Sequence, residues 1–147
     1  MSLPLFATSR AASRTITWGD YAVAMLIGFA LPVAIGAVLF MLGALPFMGE
    51  NGSVIAGVGG FLLFTPLISW AGLIPGAVVL FVLLRLGWGG LAPAVLVGAA
   101  IGTAIATILG SAFGFTVFTL FGAGFAALAW GALRRRRPDA LVRPGQD

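Results

Sequence analysis

The chain contains no cysteine, no histidine and no lysine. Without cysteine it can form no disulfide, no thiolate nucleophile and no cysteine metal cluster. Without histidine it lacks the commonest general base and metal ligand, and without lysine it can form no Schiff base. We therefore predict a protein that is not an enzyme and that has no catalytic residues, no metal site and no cofactor.

Charge is also scarce, because charged residues make up 8% of the 147 residues and hydrophobic residues make up 61%. A soluble domain usually carries about 25% charged residues. A water-soluble fold of this length could not bury so much apolar surface, since small domains leave much of their surface wet. The composition predicts an all-α protein whose partner is the lipid bilayer.

Long uncharged runs, separated by turn-forming residues, predict four transmembrane helices. The predicted spans cover about 21–45, 54–84, 91–109 and 113–133, within a transmembrane domain of residues 19–133. Thr17 and Asp20 have the spacing of a capping box at the start of the first helix, and Pro32 predicts a kink within it. Residues 1–18 are predicted to form a cytoplasmic tail, and residues 134–147 a basic, disordered cytoplasmic tail.

The second apolar run is unusual in length. It is too long for one upright helix and too short for two, which would need about 40 residues. Pro66 and Pro75 interrupt it, so we predict an interfacial or broken first part over Val54–Phe64 and then a proline-kinked span that ends near Leu84. A re-entrant loop is the alternative.

Arginine placement predicts how the chain is threaded. The net charge is +4 and all eight cationic residues are arginines. With four spans, all eight fall on one side of the membrane, which predicts that both chain ends lie in the cytoplasm. The predicted topology anchors are Arg10, Arg14, Arg85, Arg134, Arg135, Arg136 and Arg137. Because the arginines border the spans, we expect no nucleic-acid partner.

The Arg134–Arg137 block stops the last span and is also suited to anionic lipid headgroups, at about 1 kcal/mol per arginine. Arginine without lysine, together with abundant alanine and glycine, is typical of a GC-rich bacterial genome. The predicted location is therefore the inner membrane of a bacterium, as a multi-pass protein. The arginine, serine and threonine of the first segment leave the mitochondrial inner membrane as the alternative.

Small residues recur every four positions on two predicted helices. This spacing lines small side chains along one face and allows another helix to approach closely. The predicted packing residues are Gly98, Gly102, Ala106 and Gly110 on the third helix and Gly28 and Gly36 on the first. The two faces are natural partners, within one chain or between copies, so a homo-oligomer or a membrane partner protein is expected.

Hydroxyl side chains provide the candidate polar sites. Thr103, Thr107 and Ser111 follow one face of the third helix, where they line a pore or bond within the helix bundle. Thr65 and Ser69, near the carbonyl groups that Pro66 leaves without donors, are the candidate broken-helix site. At the membrane border, an Asp20–Arg85 ion pair is the alternative to separate capping and anchoring roles.

The absence of reactive groups and the small-residue faces favour a non-enzymatic membrane protein that acts as an accessory or assembling subunit. The alternative is a small oligomeric transporter or channel for a neutral or weakly polar solute, which would use the hydroxyl stripe. An intramembrane enzyme acting on lipids is the third hypothesis, and it would depend on Asp20, Glu50 and Arg85.

Overall fold

The computed structural model describes residues 4–64, 66–110 and 112–141, and for 66–71 and 112–114 it describes the backbone alone. In chain order the helices are α1 (Arg10–Ser13), α2 (Trp18–Gly43), α3 (Gly49–Phe64), α4 (Pro66–Arg85), α5 (Leu91–Ile108) and α6 (Ala112–Arg136), with short 3-10 helices at Pro46–Met48 and Pro138–Ala140. The described residues contain no strand. The predicted all-α class is confirmed.

Four helical stretches within the described residues are long and apolar enough to cross a membrane. They are Trp18–Gly43, Pro46–Phe64, Leu91–Ile108 and Phe115–Arg136, and the apolar stretch Gly72–Arg85 is shorter. This pattern suggests a multi-pass membrane protein. The side of the membrane that each chain end occupies, and the kink at Pro32, stay predictions.

Helix α2 begins at Trp18, ahead of the predicted start at residue 21, because Thr17 and Asp20 form a reciprocal capping box. The Asp20 N–H donates to Thr17 Oγ1 over 3.1 Å, and the Thr17 N–H donates to Asp20 Oδ2 over 3.4 Å. These two bonds satisfy backbone donors that a helix start leaves without partners.

The second apolar run differs from its prediction in where its helix begins. A helix already runs from Gly49 to Phe64, so the gap between the predicted spans 21–45 and 54–84 shortens to a 3-10 turn at Pro46–Met48, and Val54–Phe64 lies inside a regular helix. Helix α4 then begins at Pro66, a residue that suits the first position of a helix because it lacks an N–H. How α3 and α4 together cross a membrane stays a prediction.

The chain divides into two compact units, of which unit 1 comprises residues 1–28 and 72–147. Its buried core contains Ile16, Tyr21, Ala24, Phe81, Leu84, Ala94, Trp130, Leu133, Ala140 and Leu141. Helices α5 and α6 make its closest contact. A Cβ atom on Gly98 would overlap the Gly122 carbonyl oxygen, and one on Gly102 would overlap the Phe118 carbonyl oxygen.

Unit 2 comprises residues 29–71. Within it, the second half of α2 packs antiparallel against α3, again through glycine. A Cβ atom on Gly36 would lie 2.6 Å from the Leu63 nitrogen, and one on Gly43 would overlap the Ala56 nitrogen. A Cβ atom on Gly59 would overlap the Phe40 nitrogen. The remaining faces of α3 are largely exposed, as Val54 and Val58 show.

Both predicted tails contain helical and buried residues, although disorder was predicted only for the second of them. The first segment contains α1 and buries Ser13 and Ile16 completely. At the other end, α6 continues to Arg136, and Ala140 and Leu141 are buried in the core of unit 1. The prediction of disorder from residue 134 onward was therefore wrong as far as residue 141, because a few apolar side chains anchor segments that are polar on average. Residues 142–147 lie outside the described residues.

Candidate functional site

Arginines from three separate segments meet at one end of unit 1, which we call the basic end. They are Arg10 and Arg14 of the first segment, Arg85 at the end of α4, and Arg134–Arg137 at the end of α6. Contacts between Arg10 and Leu86, Arg85 and Arg14, and Arg137 and Asp20 join these segments. The residues predicted as topology anchors thus lie close together in space.

Asp20 is the acidic residue at the centre of the basic end. Its carboxylate accepts a hydrogen bond from Arg137 Nε at 3.0 Å and lies 2.9 Å from Arg137 Nη2 and 3.9 Å from Arg136 Nη2. Arg85 is not its partner, so the Asp20–Arg85 pair proposed from the sequence is replaced by a link from α2 to the end of α6. The side chain of Asp20 keeps 11% of its surface exposed.

Arg85 and Arg10 instead bind backbone carbonyl groups. Arg85 donates to the carbonyl oxygens of Arg14 at 2.9 Å and Ile16 at 3.0 Å, and its guanidinium lies 4.9 Å from the centre of the Phe81 ring. Arg10 donates to the Leu86 carbonyl oxygen at 2.8 Å, one of the carbonyl groups that the end of a helix leaves without donors. These arginines hold the first segment against the end of α4.

The first segment also caps helix α5. The N–H groups of Leu91 and Ala92 donate to the carbonyl oxygens of Pro4 and Leu5 over 3.2 and 2.8 Å. Gly90, the residue at the N-cap, offers no side chain for this purpose. No sequence pattern indicates this contact, because backbone acceptors leave no residue-type signature.

An apolar groove opens between the helices of unit 1 near the basic end. We call it the Trp130 groove. It is lined by Tyr21, Met25, Leu80, Leu84, Trp88, Gly89, Gly90, Ala94, Ala126, Ala129, Trp130 and Leu133. The Tyr21 hydroxyl donates to the Ala77 carbonyl oxygen at 2.8 Å, and Trp130 Nε1 donates to the Gly89 carbonyl oxygen at 2.8 Å. Two of its few polar side-chain groups are therefore already bonded within the protein.

Arg134 borders this groove. Its guanidinium carbon lies 5.4 Å from the centre of the Trp130 ring, an arrangement that suits cation–π attraction. Its Nη1 atom is buried and makes no hydrogen bond with the residues that the structure describes. An unsatisfied donor on a charged group is costly to bury, so this nitrogen is suited to an external anionic acceptor.

The hydroxyl side chains of the predicted polar stripe form two kinds of hydrogen bond, one within α5 and one between α5 and α6. Thr103 Oγ1 and Thr119 Oγ1 lie 2.8 Å apart and join α5 to α6, while Thr107 donates to the Thr103 carbonyl oxygen at 2.9 Å within its own helix. Ser111 and Thr65 lie outside the described residues, as does the side chain of Ser69. The described part of the stripe is therefore engaged in bonds within the chain.

The predicted small-residue faces meet partners other than each other. The α5 face packs on α6, and Gly28 of α2 also packs on α6, where a Cβ atom would lie 2.8 Å from the Ala129 nitrogen. Ala106 is buried. Gly110 differs from its prediction: it follows the end of α5 with φ 66° and open space around it, so it ends the helix and does not pack against a neighbour.

Among the residues that the structure describes, no group of three or more acidic residues, histidines or cysteines could hold a metal ion. Comparison of the chain with protein-family models, with curated proteins and with solved structures finds no match. The class that the fold defines is an all-helical protein in which four helices of the described residues are long and apolar enough to cross a membrane, which suggests a membrane location.

Proposed function

We propose that this chain is a non-enzymatic membrane protein that acts as an accessory or assembling subunit, with both ends in the cytoplasm of a bacterium. The observation that carries the proposal is an uncovered small-residue face on α3. Gly49, Ser53 and Gly57 follow each other at four-residue spacing, all three are exposed, and a Cβ atom on Gly57 would meet nothing within 4 Å. Gly52 and Gly59, on a neighbouring face of the same helix, already pack against the 40–43 part of the chain in unit 2.

Such a face supports assembly because membrane helices associate where small residues let two backbones approach. Lipid tails pack against bulky side chains as well as against small ones. Contact with lipid alone therefore does not explain why glycine is exposed on α3. The Asp20 carboxylate is engaged with arginines, which supports a role without acid–base chemistry. The bond between Thr103 and Thr119 favours packing over a pore, and so weighs against the transport alternative.

The test uses the natural absence of cysteine. The full chain carrying Gly57→Cys is oxidised in native membranes beside the matched variant Gly124→Cys, a glycine of α6 that also faces open space. We expect Gly57→Cys to form a discrete cross-linked species, either a dimer or a conjugate with a partner protein, and Gly124→Cys to remain uncross-linked.

Native mass measurement of the unmodified protein in mild detergent provides the second readout. A discrete oligomer or a stoichiometric complex supports the proposal. A strictly monomeric species without a partner, together with no cross-link at position 57, would contradict it. Reporter fusions after Leu133 that reach the periplasm would contradict the proposed threading.

A further inference from the structure

We propose that the Trp130 groove binds one acyl chain of an anionic phospholipid and that Arg134 binds the phosphate group of the same lipid. The inference relies on the membrane location in the proposed function, but it does not depend on assembly. Three observations carry it: the chemistry of the groove wall, the state of Arg134 and the charge of the surrounding surface.

The groove wall selects an apolar occupant. Its lining is aliphatic and aromatic, and the Tyr21 hydroxyl and the Trp130 N–H already donate to carbonyl oxygens of the protein. A polar ligand would therefore lose its own hydrogen bonds to water and gain few in return. A hydrocarbon chain loses no such bonds, and it can enter from the surrounding bilayer.

Arg134 selects an anionic end for the same occupant. Its buried Nη1 lacks an acceptor among the described residues, and its guanidinium stacks on Trp130, a residue of the groove wall. A phosphate oxygen would satisfy this donor with a charge-assisted hydrogen bond. Asp20 does not serve this purpose, because its carboxylate faces Arg136 and Arg137.

The surrounding surface complements a negative headgroup. Arg10, Arg14 and Arg135 are exposed at the same end of unit 1, and the chain as a whole carries a net charge of +4. Trp88, which lines the groove, is 56% exposed, and exposed tryptophan is enriched at the depth of lipid headgroups. An acyl chain in the groove and a phosphate at Arg134 thus agree with the depth expected for this end.

The experiment measures lipid retention by native mass spectrometry of the full chain. The protein is released from detergent after exposure to dioleoyl phosphatidylglycerol, to dioleoyl phosphatidylcholine, or to glycerol 3-phosphate, which has the phosphate but no acyl chain. We expect phosphatidylglycerol to be retained as a one-to-one adduct about tenfold more strongly than phosphatidylcholine, a ratio typical of one charge-assisted contact. Glycerol 3-phosphate should give no stable adduct.

Two neighbouring arginines supply a matched pair of variants. Arg134→Gln should reduce the preference for phosphatidylglycerol about tenfold, whereas Arg135→Gln, which removes the same charge from an exposed position, should change it less than about twofold. Arg134→Lys keeps the charge and should retain part of the preference. Leu80→Trp narrows the groove and should weaken retention of both phospholipids by the same factor.

Equal retention of the two phospholipids by the unmodified protein would overturn the proposal, even if Arg134→Gln does not fold. Equal effects of Arg134→Gln and Arg135→Gln would mean that general surface charge, and not a site at Arg134, attracts the lipid. This result would also overturn the proposal. If glycerol 3-phosphate bound as strongly as the phospholipid, the groove would contribute nothing to binding, and the acyl-chain part of the proposal would be wrong. A monomer that still prefers phosphatidylglycerol would contradict the assembly function alone, and an oligomer without lipid preference would contradict the lipid site alone.

Discussion

The α5–α6 contact of unit 1 and the α2–α3 contact of unit 2 use glycine in the same way but differ in what surrounds it. In both, the missing Cβ atoms allow backbone-to-backbone contact. Of the two contacts, as far as the described residues show, only α5–α6 contains a hydrogen bond between hydroxyl side chains of its two helices, at Thr103 and Thr119. In the α2–α3 contact, helix α3 leaves another small-residue face exposed. The difference suggests that α5–α6 is complete within the chain and that α3 has a further face to cover.

The largest expected effect is at Gly98, in the α5–α6 contact. Gly98→Val places side-chain atoms where the Gly122 carbonyl oxygen lies, and we expect a loss of about 3 kcal/mol in the free energy of unfolding, at the upper end of overpacking effects. Reversible unfolding in mixed micelles measures it. Gly124→Val, on α6 with open space around it, is the control and should change stability little. Equal losses in the two variants would mean that the close contact at Gly98 is not what stabilises the α5–α6 pair.

A smaller effect is expected at Gly59, in the α2–α3 contact. Gly59→Ala brings a Cβ atom onto the Phe40 nitrogen, and part of this cost is offset by the helix propensity of alanine, so the net loss should be about 1 kcal/mol. Hydrogen exchange of the α2–α3 segment measures it locally.

The adjacent variant Gly60→Ala tests the interpretation of Gly59. Its Cβ atom would make an ordinary contact with the Phe40 ring at 3.5 Å, so exchange should be unchanged or slower. If Gly60→Ala speeds exchange as much as Gly59→Ala, the close approach of the two helices is not what stabilises unit 2.

At the basic end, Asp20→Asn should release the end of α6 without unfolding either glycine contact. The change removes the negative partner of Arg136 and Arg137, so amide exchange over residues 137–141 should become faster while α5 and α6 stay protected. Asp139→Asn removes the same charge from an exposed position and should leave exchange unchanged. Identical behaviour of the two variants would show that the ion pair does not order this segment.

The smallest effect is expected for the hydroxyl bond that distinguishes α5–α6. Thr103→Val removes its bond with Thr119 and should cost about 0.6 kcal/mol, the average for such bonds between membrane helices. Thr107→Val removes only a bond within α5 and should cost less. Measurement of solute flux in proteoliposomes on the same two variants addresses transport, because a large change in flux with unchanged stability would favour the pore hypothesis.

Periodicity predicted more of the fold than of the contacts. The charge-free runs located α5 and α6 to within a few residues, because helix length in a membrane follows from bilayer thickness. The four-residue spacing identified Gly98 and Gly102 as members of one face, but not which helix they meet, since any small-residue face suits another. Gly110 has the same spacing and a different role, because positive φ cannot be read from spacing alone.

At the basic end, the side of the membrane could be predicted from the sequence but the contacts between residues could not. The arginines could be assigned to one side of a membrane from topology, yet the partners of Asp20 and the caps on α5 depend on contacts between distant segments. Polar average composition predicted disorder for residues 134–141, whereas Ala140 and Leu141 are buried and Arg136 and Arg137 pair with Asp20. A tail is better judged by its few apolar residues than by its overall polarity.

The capping of α5 by the first segment has a consequence for biosynthesis. Thr8 accepts a hydrogen bond from the Gly89 N–H, across 81 positions of sequence. At translation rates of about 5–20 residues per second, Thr8 is synthesised roughly 4–16 s before Gly89. The first segment can therefore bind the start of α5 only after the preceding helices α1 to α4 have been synthesised.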